Sequence, residues 1–397
     1  MLTSSDRRPP IVCVSSMGWS FLWTRKQRFM AHLARRGWRV LYVEPPESVL
    51  APLRQPEKAR ALVGGGRLKY LEDPGLHVLT PRLGVPGAGG YAPPLQFVRY
   101  RSLYKTIART IRRLGWDRPI HWTYTVDSAQ HLEVFPVAAT IYDCVDLVSH
   151  YPGVNALRAQ ALEERLCQAS DLVFTSASTL VAHLTPYSRS VSFISNGYDP
   201  SLSDPPSRDE ACRLQEILPW SWGNGDSPIV SYVGGIYEWV DLAVLHECAL
   251  ASPDMRFVIA GPVGRGVDVS SLSSLPNVHL TGRLTQESVR ALLHSSAAAL
   301  SAFKNGPLAE HVNPLKVYEY LAVGLPVVST RMPELESLGE VIEFVDEGGS
   351  FAEHLCRAVA TDTSALRAAR QERVRAYGWD HLSTRMEREL EHLVGGR

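Results

Sequence analysis

The stretch that decides the fold is EHVNPLKVYEYLAVGLPVVST, residues 310–330. Asn313 and Pro314 predict the start of a helix, because asparagine caps helices and proline fits the first helical position. Gly324 predicts the end of that helix, and the β-branched run that follows predicts a buried strand. A short helix that leads almost directly into a buried strand is typical of α/β domains with a parallel sheet.

Lys316 stands in the first turn of this helix, where the backbone is already electropositive. The helix dipole disfavours a cation there by about 0.3–1 kcal/mol, so the position predicts an anion that the lysine and the helix N-terminus grip together. Glu319 follows three residues later on the same face and can accept hydrogen bonds from vicinal hydroxyls, as a ribose offers. A solvated Lys–Glu pair explains the same pattern, and the residues alone leave both interpretations open.

Strands and helices alternate along the whole chain. Short β-branched runs predict strands at residues 10–16, 38–46, 120–126, 139–145, 171–177, 190–196, 228–236, 255–263, 277–284, 297–303 and 325–330. Residues 200–228 interrupt this rhythm and are rich in Pro, Ser, Gly and Asp, as an interdomain connection is. The Gly-rich stretches at 64–67 and 84–94 predict long loops.

The pattern therefore predicts an α/β protein with two Rossmann-like domains that face each other across a cleft. We expect the first domain at residues 1–203, the second at 204–378, and a charged amphipathic helix within 379–397. A length of 397 residues with 45% hydrophobic and 21% charged residues fits two soluble globular domains.

The composition also bears on location. The six cysteines are scattered without metal-ligand spacing, which indicates reduced thiols in a cytoplasmic protein. No apolar run is long enough to predict a membrane-spanning helix, and the N-terminal stretch predicts a first strand rather than a signal peptide.

Charge is unevenly distributed along the chain. Residues 1–200 hold 24 Lys and Arg against 15 Asp and Glu, a net charge of +9, and the remaining residues carry −9. A predicted helix near residues 98–116 concentrates basic side chains opposite an apolar face, and the basic residues are Arg99, Arg101, Lys105, Arg109, Arg112 and Arg113. Such a helix can rest on an anionic membrane surface at the inner face of the cytoplasmic membrane. A helix packed on the sheet with a solvated basic face is the alternative.

Residues 313–328, NPLKVYEYLAVGLPVV, resemble the donor-binding signature of GT-B glycosyltransferases. The similarity is greatest to the large family four and its bacterial polysaccharide relatives, whose pattern runs roughly NPxKxxEYLAxGxPVV. Weaker similarities are SYVGGI, VIAGP and NVHLTGRL in the second half, and YDCVD, SDLVFTSASTL and ISNGYD in the first half. The resemblance implies transfer of a sugar from a nucleotide-diphosphate sugar to an acceptor hydroxyl, in polysaccharide, glycolipid or glycosylated metabolite biosynthesis. The acceptor would be a glycan, a lipid-linked molecule or a small molecule.

The family also implies roles for particular residues. Lys316 would meet the diphosphate or the sugar, and Glu319 the ribose. The remaining expected donor-binding residues are Gly234 and Gly235 after a strand, Gly282 and Leu284 near the base, and Asn313 and Tyr318. His311 stands eight residues before Glu319, where many relatives carry a glutamate, and it is therefore a catalytic candidate. The terminal helix would cross back onto the first domain.

In the first half, Asp146 of YDCVD is the candidate general base, because it matches an aspartate that similar bacterial glucuronosyltransferases use on the acceptor hydroxyl. Such a base suits a direct displacement of the nucleotide. Asp143 is expected to orient a neighbour or bind acceptor hydroxyls, and one of the two aspartates can instead cap a helix. Gly18 and Trp19 lie in the first strand–helix loop, where Trp19 can either stack on a sugar or pack in the core.

Other functions are compatible with parts of the pattern. A nucleotide-sugar epimerase can share this architecture, and a non-catalytic sugar-binding module can share the donor site. A nicotinamide oxidoreductase is disfavoured, because no GxGxxG follows the first strand. We expect no metal and no other cofactor, since a lysine and helix amides can stabilise a diphosphate. No nucleic-acid partner is expected.

Overall fold

The computed structural model describes residues 8–46, 67–71, 75–81, 93–219 and 227–395. These residues form two compact units. The first runs to Ser195 and takes in the chain from Leu382 onward, and the second runs from Asn196 to His381. The predicted loops at 64–67 and 84–94 lie largely outside the described residues.

The first unit is built on a sheet of eight strands among its described residues. These strands are β1 Ile11–Val14, β2 Val40–Val43, β3 Arg67–Tyr70, β4 Leu76–Thr80, β5 Ile120–Thr123, β6 Ala139–Cys144, β7 Leu172–Thr175 and β8 Val191–Phe193. They are ordered β3-β4-β2-β1-β5-β6-β7-β8. Neighbouring strands are parallel apart from the β3–β4 pair, which is antiparallel. Its helices are α1 Arg25–Arg35, α2 Pro93–Arg113, α3 Ala156–Ala169 and α4 Ser178–Leu184.

In the part of the second unit that the structure describes, six strands form a fully parallel sheet. These strands are β9 Ile229–Val233, β10 Arg256–Ala260, β11 Val278–Gly282, β12 Ala298–Ser301, β13 Val327–Thr330 and β14 Glu343–Val345. Its helices are α5 Arg208–Ile217, α6 Leu242–Ala251, α7 Ser270–Ser273, α8 Gln286–Ser295, α9 Leu315–Ala322, α10 Phe351–Ala360 and α11 Ser364–Val374. The last helix, α12 Trp379–Gly395, passes from the second unit to the first.

The strand order identifies where each sheet can bind a ligand. The second sheet runs β11-β10-β9-β12-β13-β14, which is the Rossmann order in which the chain reverses direction between β9 and β12. The first sheet contains the same order around β1 and β5. Ligands of open α/β sheets bind beyond the carboxyl ends of the strands at this reversal, so each unit has one expected site. The predicted α/β fold with two Rossmann-like domains is confirmed.

The division between the units falls earlier than the boundary at residue 203 that the sequence predicts. Asn196 donates a hydrogen bond to the Asn313 carbonyl at 2.7 Å, and the Ser203 hydroxyl donates to the Ala322 carbonyl at 3.1 Å. These bonds fasten residues 196–203 to the second unit. The segment at residues 200–228, predicted to be an interdomain connection, contains α5, whose Glu210 is paired with Arg290 of α8.

Helix α12 is fixed to the first unit by a buried carboxylate. Glu387 is 5% exposed and accepts from the Trp38 indole N–H at 2.9 Å, while Arg8 and Arg36 pair with it. A carboxylate that is removed from water needs such partners. Glu387 therefore accounts for the membership of the last residues in the first unit.

Helix α2 has the two faces that its sequence predicts. Tyr100, Tyr104, Ile107 and Ile111 are buried in the core of the first unit. The opposite face is exposed and basic, and its residues are Arg101, Lys105, Arg109, Arg112 and Arg113. Within the described part of the chain, no helix combines the length and the apolar character needed to cross a membrane.

Candidate functional site

The chain reversal in the second unit brings three segments together around Lys316. Gly234 follows β9 and Phe303 follows β12, so both lie beyond the carboxyl ends of these strands. The Lys316 ammonium lies 3.8 Å from the centre of the Tyr232 ring and 5.2 Å from that of the Phe303 ring. Cations are attracted to aromatic faces at such distances. The lysine that opposes the helix dipole therefore reaches the expected ligand site of this sheet.

Among the described residues, the hydrogen-bond partner given for the Lys316 ammonium is a phenol and not a carboxylate. Its Nζ donates a hydrogen bond of 2.6 Å to the Tyr232 hydroxyl. Burial lowers the pKa of Lys316 to about 7, while the nearby negative charge of Glu319 acts to raise it. Near neutral pH the side chain thus divides between ammonium and amine, and a bound anion would favour the ammonium form.

Gly234 and Gly235 provide space for these side chains. Gly234 has φ +144°, and a Cβ there would stand 3.2 Å from both Cε and Nζ of Lys316. A Cβ on Gly235 would stand 2.2 Å from the Tyr237 ring. A side chain at either position would therefore force Lys316 or Tyr237 to move, and the φ of Gly234 would strain any other residue. Their predicted role in admitting phosphates to the backbone amides stays a prediction.

Two expected donor-binding residues are buried and bonded within the protein. Helix α9 begins at Leu315 with Pro314 as its N-cap and without a side-chain cap, so the predicted cap at Asn313 is wrong. Asn313 is 4% exposed, and its side chain hydrogen-bonds with Tyr318. Tyr318 is 2% exposed and its ring lies 4.9 Å from that of Tyr377. These contacts make Asn313 and Tyr318 supports of the α9 start, which argues against their predicted contact with the donor.

The other expected donor residues surround the same edge of the sheet. The Gly282 carbonyl, at the end of β11, accepts from the Gly261 amide at 2.8 Å. Leu284 is half-buried and packs against the core beneath α8. His311 and Glu319 are both half-buried, His311 in the short helix Ala309–His311 that precedes α9. Their roles toward the base, the sugar and the ribose stay predictions.

The first loop of the first unit is packed against its own sheet. Trp19 is 9% exposed, and its ring meets those of Trp23 at 5.2 Å and Tyr42 at 4.9 Å. Its amide donates to Glu44 Oε1 at 2.8 Å. The Gly18 carbonyl accepts from Gln27 Nε2 at 3.0 Å. Of the two interpretations open for Trp19, packing in the core is the one that these contacts support, and stacking on an acceptor sugar is not.

Asp143 is part of a buried ion pair. Arg25 Nε lies 2.9 Å from Asp143 Oδ1, and the two side chains are 1% and 0% exposed. Arg25 also donates to the Ser195 carbonyl at 3.0 Å. Of the two roles expected for Asp143, orienting a neighbour fits this enclosed ion pair, while contact with acceptor hydroxyls gains no support from it.

Replacement of Asp143 tests this structural role. We expect Asp143→Asn to lower the free energy of unfolding by about 3–5 kcal/mol, because it leaves the Arg25 charge buried without a counter-ion. Urea unfolding measures this loss, with the exposed Asp117→Asn as the control at within about 0.5 kcal/mol of wild type. An Asp143→Asn protein as stable as the control would show that the pair is dispensable.

Asp146 lies in surroundings that make its carboxylate more basic than usual. It follows β6, is half-buried, and its Oδ2 accepts a hydrogen bond from the Tyr151 hydroxyl at 2.9 Å. Burial raises the pKa of Asp146, whereas the charge of Lys26 and the Tyr151 bond act to lower it. A carboxylate that is more basic than usual is better suited to accept a proton.

Lys26 is a residue that the sequence interpretation missed. It lies in the first turn of α1, is 8% exposed, and its ammonium stands 5.5 Å from the centre of the Tyr124 ring. Burial lowers the pKa of Lys26, and the charges of Asp146 and Asp143 act to raise it. The signal was present in the sequence, since Lys26 is a cation at the electropositive end of a helix, as Lys316 is.

No group of three or more His, Cys, Asp and Glu side chains that could hold a metal ion occurs among the residues that the structure describes. The expected independence from metals and other cofactors stays a prediction. A measurement of activity in the presence of a chelator would test the part that concerns metals.

Comparison with known proteins finds similarity to glycosyltransferases. Residues 243–388 match the family described as glycosyl transferase-like. TuaH of Bacillus subtilis (strain 168), a glycosyltransferase assigned to teichuronic acid biosynthesis, is 29% identical over 222 residues, which cover 52% of this chain and 54% of TuaH. The chain thus spans about half the length of this curated relative.

The solved structures agree over nearly the whole chain. A sucrose-phosphate synthase from Thermosynechococcus elongatus has a TM-score of 0.73 at 16% identity, covering 98% of this chain and 100% of that one. Anabaena HepE in complex with UDP and glucose has a TM-score of 0.66 at 13% identity, covering 96% and 99%. At these identities the likeness establishes the fold, which is the GT-B fold.

Proposed function

We infer that this chain of the GT-B fold is a glycosyltransferase, which moves a sugar from a nucleotide-diphosphate sugar to an acceptor hydroxyl. The observation that carries the proposal is the position of Lys316. A half-buried cation lies at the chain reversal of a Rossmann sheet, beside the N-terminus of α9, and the contacts described around it include no bonded carboxylate. Both the cation and the helix N-terminus favour a bound anion.

The donor diphosphate is the anion that this site suits. The ammonium of Lys316 and the first amides of α9 would take up the charge that develops on the leaving nucleotide, without a metal ion. Glu319 lies on the same helix and would accept hydrogen bonds from the ribose. The half-buried His311 precedes this helix and would lie near the transferred sugar.

Asp146 would act as the general base on the acceptor. As the acceptor oxygen forms its bond to the anomeric carbon of the sugar, the bond from that carbon to the phosphate oxygen breaks. The hydroxyl proton passes to Asp146, and the nucleoside diphosphate leaves with the electron pair. A single displacement of this kind inverts the anomeric configuration. The raised pKa of Asp146 and its bond to Tyr151 support this role.

The similarity to TuaH supports an acceptor in bacterial polysaccharide or glycolipid biosynthesis. A thermal-shift screen against UDP-, GDP-, dTDP- and ADP-sugars would identify the donor, because a ligand that binds the folded state raises apparent stability.

Product analysis then separates transfer from epimerisation. We expect a new glycoside that requires an acceptor and still forms with a chelator present. Conversion of the donor to an epimeric sugar in the absence of an acceptor would contradict the proposal and favour an epimerase.

We also propose that the exposed basic face of α2 rests on an anionic membrane surface. Its five exposed basic residues lie opposite the face that is buried in the first unit, so their charged groups face solvent. Each basic residue near an anionic bilayer contributes about 1 kcal/mol of attraction. This location fits an enzyme that extends lipid-linked glycans.

Charge reversal on this face provides the test. We expect Arg109→Glu/Arg112→Glu to reduce sedimentation with phosphatidylglycerol vesicles by at least about tenfold, because two attractive charges become repulsive. The double reversal Arg213→Glu/Arg375→Glu in the second unit is the matched control and should bind as wild type does. Equal binding of wild type to neutral phosphatidylcholine vesicles would contradict the proposal.

A further inference from the structure

Tyr232 connects the lysine of the donor site to the turn that follows β9. It is 1% exposed. Its hydroxyl accepts a hydrogen bond from Lys316 Nζ at 2.6 Å and donates one to the Gly235 carbonyl at 3.2 Å. A single phenol therefore joins the side chain and the backbone turn that are both expected to meet the diphosphate.

The surroundings of Lys316 explain why this phenol matters. The ammonium lies over the faces of Tyr232 and Phe303, and its Cε and Nζ fill the space above Gly234. Burial raises the pKa of Tyr232, so the phenol stays neutral and provides a hydrogen bond but no charge. Among the described residues, the charge that acts on Lys316 is that of Glu319, on the same helix.

We propose that Tyr232 is a positioning residue that holds the Lys316 amine against the Gly234–Gly235 turn and sets the pH range over which binding of a nucleoside diphosphate is accompanied by uptake of up to one proton by Lys316. The proposal rests on the function inferred above for the same site. On binding, a proton from the buffer joins the neutral amine, and the resulting ammonium faces the diphosphate. Tyr232 stabilises that ammonium by accepting its hydrogen bond, and the bond also fixes where the charge stands.

The titratable groups around Lys316 come from two elements. Tyr232 lies on β9, and Glu319 and Tyr320 lie on α9. Phe303 contributes an uncharged ring from the segment after β12. Tyr320 is the matched control for Tyr232, because its hydroxyl bonds Val233 rather than Lys316. It accepts from the Val233 amide at 2.7 Å and donates to the Val233 carbonyl at 3.3 Å.

The test is calorimetric titration with UDP, GDP, dTDP and ADP, in buffers of different ionisation enthalpy, between about pH 7 and pH 9. In this window the proton uptake by wild type, measured with whichever nucleotide binds most tightly, should rise from about half a proton toward one, because fewer amines are charged before binding. Lys316→Met should abolish the uptake.

Tyr232→Phe keeps the ring and removes the hydroxyl. We expect its uptake profile to shift by about one unit to lower pH, with about tenfold weaker binding at a fixed pH near 8. Tyr320→Phe should leave the profile unchanged even if it lowers stability. A Tyr232→Phe profile that coincides with wild type, or tight wild-type binding without proton uptake, would overturn this inference alone. Failure of all four nucleotides to bind would overturn the proposed function on which it rests.

Discussion

Lys316→Met is expected to lower kcat/KM for the nucleotide-sugar donor by about 10²–10³-fold near neutral pH. Methionine fills a similar volume between Tyr232 and Phe303 but cannot oppose the charge that develops on the leaving diphosphate. The loss should come from both donor affinity and turnover, because in the proposed site the ammonium would contact a group whose charge increases in the transition state. Steady-state kinetics of sugar transfer measure the effect. Lys69→Met, at an exposed lysine of β3 in the first unit, should retain wild-type kinetics.

The same variant should change how stability depends on pH. The pKa of Lys316 is lowered to about 7 in the folded protein, so between pH 7 and its ordinary value the unfolded chain holds more protons at this residue. The contribution of Lys316 to stability therefore rises with pH through this window and is least favourable below pH 7. Urea unfolding should show a smaller rise in stability from about pH 6 to pH 9 for Lys316→Met than for wild type. Identical slopes would show that Lys316 is not buried in this way.

Asp146→Asn is expected to lower kcat by about 10²–10⁴-fold, with affinity for the nucleoside diphosphate unchanged. Asparagine has the shape of aspartate and can bond Tyr151, but it cannot accept the acceptor proton. Because burial raises the pKa of Asp146, wild-type kcat should also fall, as the pH is lowered, at a higher pH than an ordinary aspartate would give. Turnover numbers from initial rates at saturating donor and acceptor measure the effect.

The control for this variant is Asp171→Asn. Asp171 precedes β7, at the amino end of the sheet, and its Oδ2 accepts from the Thr140 amide at 2.8 Å. Its replacement should cost stability but leave kcat close to wild type. If Asp146→Asn turned over as fast as Asp171→Asn, Asp146 would not be the base, and another group would have to take the proton.

The fold could be predicted because its signals are local. The spacing of NPLKVYEYLAVG and of the β-branched runs depends on neighbouring residues, and the predicted strands overlap those of the structure. The sequence prediction missed β3, β4 and β14. β3 has no buried residue and β14 is three residues long with one buried, so both carry a weak pattern, whereas β4 was missed although three of its five residues are buried.

The site could be predicted only in part, because burial depends on residues far apart in the chain. Asp143 lies near the end of β6 and Asp146 just after it, but Arg25, 118 positions earlier, encloses Asp143. Their position along the strand does not reveal this ion pair. In contrast, Lys26 could have been found, since the argument from the helix dipole that selected Lys316 applies equally to α1.

The most direct test of a nucleotide-sugar site at Lys316 is calorimetric titration with UDP, GDP, dTDP and ADP of three proteins: wild type, Lys316→Met and Asp146→Asn. The proposed function predicts that one of these nucleotides binds wild type with one site per chain. It further predicts that Lys316→Met weakens this binding by at least about tenfold and that Asp146→Asn leaves it unchanged. Binding that is equally tight without Lys316, or the absence of binding by all four nucleotides, would contradict it.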